Sequence, residues 1–168
     1  VAALLLQEPQ FYLEYESYAA RKQPGPDFTV TFKTHIRFNV EVRRIRSGEW
    51  SDEPQSRVHK LMAVLCDKVR QIPPSVMNVL WLRSDGALSV EELGHSTARL
   101  RQLAEQKTED FFTQRGFTSA NIFLKQYQQT SAIILQSAET TILWLNPLAR
   151  HPLPSKLANT LQRLLRPS

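Results

Sequence analysis

Asp27, which follows Pro26, and Glu41, two residues ahead of Arg43, are the side chains whose types and spacing could do chemistry. Each belongs to a segment rich in β-branched and aromatic residues that alternates with period two, as a strand does. Phe28, Val30 and Phe32 share one face of the first segment, and Phe38, Val40 and Val42 share one face of the second. The opposite faces carry Asp27, Thr29 and Thr31, then Arg37, Asn39, Glu41 and Arg43. A hairpin turning near Thr34 must keep apolar against apolar, and that register sets Asp27 opposite Glu41. Opposed residues have Cβ atoms about 5 Å apart, a spacing at which like charges destabilise a sheet. Two carboxylates held that way need a reason, and a divalent cation is one.

The pair Pro26-Asp27 on one strand and the triplet Glu41-Val42-Arg43 on the next resemble the PD-(D/E)xK nuclease superfamily. The resemblance implies an α/β domain with a restriction-endonuclease-like three-layer core, a mixed central sheet flanked by helices, in the order α-β-β-β-α-β. It also implies that Asp27 and Glu41 hold Mg²⁺ (or Mn²⁺), which polarises a phosphodiester and lowers the pKa of a bound water. The family's third position is a lysine that orients or deprotonates this water; here Arg43 stands there. Arginine, with a pKa above about 12, cannot be a general base, but it can orient water or hold a phosphate. The implied catalytic set is therefore Asp27, Glu41 and Arg43.

Glu14 is the further acidic metal ligand that the resemblance implies on the first helix, with Glu16 the lesser candidate. Arg37, Arg44 and Arg46 would line a phosphate-binding groove beside the carboxylates, while Arg57 and Lys60 read as solvated surface. The run Leu143-Trp144-Leu145-Asn146-Pro147 and the Pro-Leu-Pro after it are similar to a bacterial branch with arginine in place of the catalytic lysine. The implied function is metal-dependent hydrolysis of DNA, with RNA the second choice of substrate. The alternative is a nuclease fold without cleavage, serving as a nucleic-acid-binding or protein-interaction module. A homodimer is compatible with either.

Composition bounds these expectations. At 168 residues the chain suits one domain, spanning 1–168, with N-terminal residues expected to be missing because it opens on Val1. A net charge of +5, from 21 Lys plus Arg against 16 acids, favours a polyanionic partner. The single cysteine, Cys66, excludes an internal disulfide and points to a reducing, cytoplasmic compartment. No apolar run approaches the roughly 20 residues of a membrane span, so no membrane partner is expected. His35, His59, His95 and His151 are scattered without zinc-ligand spacing. Neither a Gly-x-x-x-x-Gly-Lys loop, a Gly-x-Gly-x-x-Gly turn nor a Gly-x-Ser-x-Gly elbow is present.

The elements that must position the carboxylates follow from periodicity. Residues 10–20 place Phe11, Tyr15 and Tyr18 on a helical stripe. After the hairpin, a helix is expected from Pro54 to Ile72, its stripe made by Val58, Leu61, Met62, Leu65, Cys66 and Val69, with Asp67 and Lys68 outside it. Residues 76–82 read as a strand covered on both faces. Residues 89–107 read as a helix capped by Ser89 with Glu92 three positions on. A short helical turn near Phe111 and Phe112, strands over 131–136 and 140–145, and an amphipathic helix over 155–165 complete the chain.

Overall fold

The structure, a computed structural model, describes residues 1–15, 26–46, 48, 53–74, 76–138 and 140–166. Helix α1 (Ala2–Leu5) precedes strands β1 (Phe11–Tyr15), β2 (Phe28–Phe32) and β3 (Ile36–Ile45). Helix α2 (Pro54–Val69) leads to β4 (Met77–Ser84), and helices α3 (Val90–Glu105), α4 (Glu109–Thr113) and α5 (Ala120–Tyr127) lead to β5 (Ala132–Gln136). Strand β6 (Thr141–Leu145) and helix α6 (Ser155–Leu164) close the chain. The six strands lie side by side in chain order. β1, β2 and β3 form an antiparallel meander, β4 runs parallel to β3 and β5 parallel to β4, and β6 returns antiparallel. The architecture is α/β, a mixed sheet flanked by helices.

Alternation along the strands divides the core in two. Phe11, Val30, Phe32, Phe38, Val40, Trp81 and Ile134 pack on one face with Leu5 of α1 and Leu157 and Leu161 of α6. Leu80, Leu82, Ile133 and Leu135 pack on the other face with Leu61, Leu65, Leu93, Leu100 and Phe123 from α2, α3 and α5. Burying a Leu-sized side chain contributes about 1.5–3 kcal/mol, so a sheet covered on both faces is what holds the carboxylate-bearing strand rigid.

Residues 11–15 are a strand, not the helix expected over 10–20; residues 16–20 lie outside the described residues. The Phe11/Tyr15 spacing fits a helix, but Phe11, Leu13 and Tyr15 alternate equally well with Tyr12 and Glu14. Aromatic-rich segments suit a pleated surface, and β2 offers an unpaired edge whose backbone β1 satisfies. The expected turn at Thr34 falls within the tight connection 33–35, where Lys33 takes a positive φ of 58°. Ser89 and Glu92 form the expected capping box, Ser89 Oγ accepting from the Glu92 N–H at 3.1 Å and Glu92 Oε2 from the Ser89 N–H at 2.8 Å.

Candidate metal centre

The β2–β3 register ends with Phe28 opposite Val40, so Asp27 and Glu41 each stand one residue past the last pair. Asp27 immediately precedes β2, and its Oδ2 accepts a hydrogen bond from the Val42 N–H at 2.7 Å. A carboxylate thus takes over a backbone donor of β3 where the β2 ladder stops, a charge-assisted bond stronger than the neutral one it replaces. Pro26, buried beside it, has no N–H of its own to satisfy.

Glu41 lies within β3 on the face turned to α2, the face of Arg37, Asn39 and Arg43. Its Oε1 accepts from Lys68 Nζ at 2.6 Å, and the two side chains are only 16% and 14% exposed. On the β4 side its register partner is Leu80, and Arg43 lies opposite Leu82, both fully buried. An ion pair held against such an apolar wall interacts far more strongly than one in water. Lys68 Nζ also donates to Gln71 Oε1 at 3.0 Å.

One row along the same face, a chain of buried polar side chains fixes the strands relative to each other. Thr29 Oγ1 and Asn39 Oδ1 are 3.2 Å apart, and Asn39 Nδ2 donates to Asn78 Oδ1 at 3.2 Å. The amide nitrogen of Asn78 reaches the carbonyls of Pro73, Val76 and Gln129 at 2.9–3.0 Å. Ser131 Oγ accepts from the Asn78 N–H at 3.0 Å and donates to the His151 carbonyl at 2.6 Å. Every link is satisfied, so the row rigidifies β2 through β5 directly beside Glu41.

The other expected site residues spread out. Glu14 is on β1 rather than a helix, opposite Thr29, and its Oε2 accepts from Arg37 Nη2 at 3.3 Å. Strand spacing puts Glu14 about 12 Å from Glu41; Glu16 lies outside the described residues. Arg44 points to the opposite face from Glu41 and holds Asp85 through both Nε and Nη2, at 3.0–3.2 Å. Seven residues of strand, about 23 Å, separate it from Arg37. Arg37 therefore lies at one end of β3 while Arg44 and Arg46 lie at the other. Arg57, expected as solvated surface, is half-buried on Glu92, Nε to Oε1 at 2.5 Å.

Lys68 was missed by periodicity, which set it outside the apolar stripe. At about 100° per residue it lies only about 20° from Leu61 on the helix circumference, at the stripe's rim. A lysine there can lay its stem on the core and its ammonium on a charged neighbour. Asn146 was likewise opaque: its Nδ2 donates to the carbonyls of Tyr127 and Thr130 at 3.1 and 2.8 Å, and its Oδ1 accepts from the Leu148 N–H at 3.0 Å. The Leu-Asn-Pro run thus ties off the C-terminal end of α5.

Asp27 and Glu41 carry carboxylate oxygens, the donor type that a hard divalent cation takes. Each has one oxygen engaged, leaving Asp27 Oδ1 and Glu41 Oε2 without a hydrogen bond among the described residues. No trio of His, Cys, Asp or Glu gathers among the described residues. Mg²⁺ is commonly held by one or two carboxylates, the remaining ligands being water and phosphate oxygens. Elsewhere, burial pushes the Cys66 thiol up to about 12, which leaves it inert at neutral pH. A groove of about 600 Å³ between α2 and α3, lined by His59, Met62 and His95, includes neither carboxylate. No described helix is long and apolar enough to cross a membrane.

Comparison with known proteins finds no matching protein family, no matching curated protein and no matching solved structure.

Proposed function

We propose that this chain is a PD-(D/E)xK nuclease-like protein that hydrolyses phosphodiesters of DNA, with Asp27 and Glu41 holding Mg²⁺ or Mn²⁺. The observation that carries this reading is the hydrogen bond from the Val42 N–H to Asp27 Oδ2 at 2.7 Å, which ties one carboxylate to β3 at the residue next to Glu41, beside the apolar wall of Leu80 and Leu82. The element order α1-β1-β2-β3-α2-β4, with β4 parallel to β3, supports it as the order the sequence resemblance implies. When bound, the cation supplies Lewis-acid activation of the phosphate and of the attacking water. Asp27, tied to the Val42 N–H just ahead of β2, and Glu41, fixed within β3, would supply the carboxylate ligands. Arg43, on the Glu41 face, holds the phosphate electrostatically and cannot accept a proton. Glu14, on the same face but held by Arg37, is the more distant acid.

The second reading is a nuclease fold that binds without cleaving. Arg43 at the lysine position favours it, as does the engagement of Glu41 by Lys68. Supercoiled plasmid and single-stranded DNA with Mg²⁺ or Mn²⁺ separate the two. Asp27→Asn keeps an acceptor for the Val42 N–H and Glu41→Gln keeps its shape, so each removes charge with little else. Cleavage should fall about a hundredfold or more in both, as several kcal/mol of transition-state charge stabilisation is lost. Arg43→Lys should raise it. The same metal-independent background in all four proteins would overturn hydrolysis and leave the binding module.

A further inference from the structure

We propose that Lys68 is a built-in counter-ion that a divalent cation must displace from Glu41, so that loading the site and releasing the Lys68 ammonium are one event. The inference rests on the metal-site reading and adds how the site is regulated. Lys68 reaches Glu41 from another element: the carboxylate is fixed on β3, whereas the ammonium hangs from the last turn of α2 on a flexible stem. Its Nζ is 2.6 Å from Oε1. A Mg²⁺ ion binds carboxylate oxygen at about 2.1 Å. A dication and an ammonium on one carboxylate repel each other with twice the force of two unit charges, and the wall of Leu80 and Leu82 denies them solvent screening on that side.

The lysine also has somewhere to go. Gln71 Oε1, exposed and 3.0 Å from Nζ, already shares the ammonium. The unsatisfied carbonyls at the C-terminal end of α2 favour a cation there. Asp27, by contrast, is tied only to the Val42 N–H among the described residues, so the second carboxylate needs no exchange of partners. Glu41 is thus the gated ligand and Asp27 the ungated one.

Calorimetric titration of the full chain with Mn²⁺ and Mg²⁺ tests this in wild type, Lys68→Gln and Glu41→Gln. Removing the competitor should tighten the metal about tenfold, within the roughly 5–150-fold range of coupled sites. Glu41→Gln should lose most of the binding. A second measurement needs no variant: amine acylation of the wild-type protein, read by mass spectrometry, should rise at Lys68 on saturation with Mn²⁺ while exposed Lys125 and Lys156 stay constant. Equal metal affinity in wild type and Lys68→Gln, or unchanged Lys68 labelling at saturation, would overturn the counter-ion role while leaving the metal site intact. No heat of binding in any folded variant would overturn the metal-site reading and this inference together.

Discussion

On the face of the sheet turned to α2, two neighbouring regions have opposite chemistry. β4 and β5 present Leu80, Leu82, Ile133 and Leu135, all fully buried, whereas β3, one strand away, presents Glu41 and Arg43 in the same rows. Glu41 is in register with Leu80 and Leu80 with Ile133, so a charged group and two core residues occupy equivalent lattice positions. Packing explains the leucines. It does not explain Glu41, whose ion pair with Lys68 has the geometry of a satisfied buried pair but which apolar residues of similar volume could replace at no loss of stability. The difference teaches that, unlike the Asn39 row that ties the strands together, the charged positions of β3 are not what the fold needs, which is why function is sought there.

The largest effect is expected on the apolar side. Leu80→Ala removes a fully buried side chain between β3 and β5 and should cost about 2–5 kcal/mol, measured by urea unfolding. A loss below 1 kcal/mol would mean that this face relaxes around the cavity, and the wall beside Glu41 would not be rigid.

The ionic side should answer differently to single and double changes. Lys68→Met leaves Glu41 unpaired in a nearly dry position, and the expected loss is about 3 kcal/mol, at the lower end for a broken buried pair because some water still reaches both groups. Glu41→Gln combined with Lys68→Met should recover most of that loss. A double-mutant cycle by urea unfolding gives the coupling directly. Additive losses would show that the two side chains do not depend on each other, and the contrast with Leu80 would collapse into ordinary packing.

What was legible in the sequence divides along the same line. Strands β2 and β3 and their register from Phe28–Val40 to Phe32–Ile36 could be read because a one-residue slip would turn Phe28, Val30, Phe38 and Val40 to the wrong face. The Ser89 capping box was legible because it is a local exchange of hydrogen bonds. β1 was not, since five residues carry too few repeats to separate a period of two from one of 3.6. α5 went unread although Ser119 caps it, accepting from the Ile122 N–H at 3.2 Å, and Phe123 and Tyr127 repeat at helical spacing. Lys68 was unreadable for a deeper reason: it meets Glu41 across 27 residues, and periodicity within α2 says nothing about what β3 presents to its rim.

The smallest effect is expected where charge is present without burial, and it sets the baseline for the other two. Arg37 and Glu14 pair at 3.3 Å with side chains 58% and 39% exposed. Water screens such a pair, salt screens it further, and ordering two long side chains offsets much of the attraction. Arg37→Ala should therefore change stability by less than about 0.5 kcal/mol, and 0.5 M salt should erase even that. The same variant probes the reading of Arg37 as a phosphate contact: affinity for DNA at low salt should fall, and the dependence of log K on log salt should flatten by about one unit. Unchanged stability with weakened DNA binding would separate the surface charges of β3 from the buried pair two rows away. A stability loss approaching that of Lys68→Met would mean that the exposed end of β3 is coupled to Glu41 through the Asn39 row, and the polar face would then have to be treated as one network.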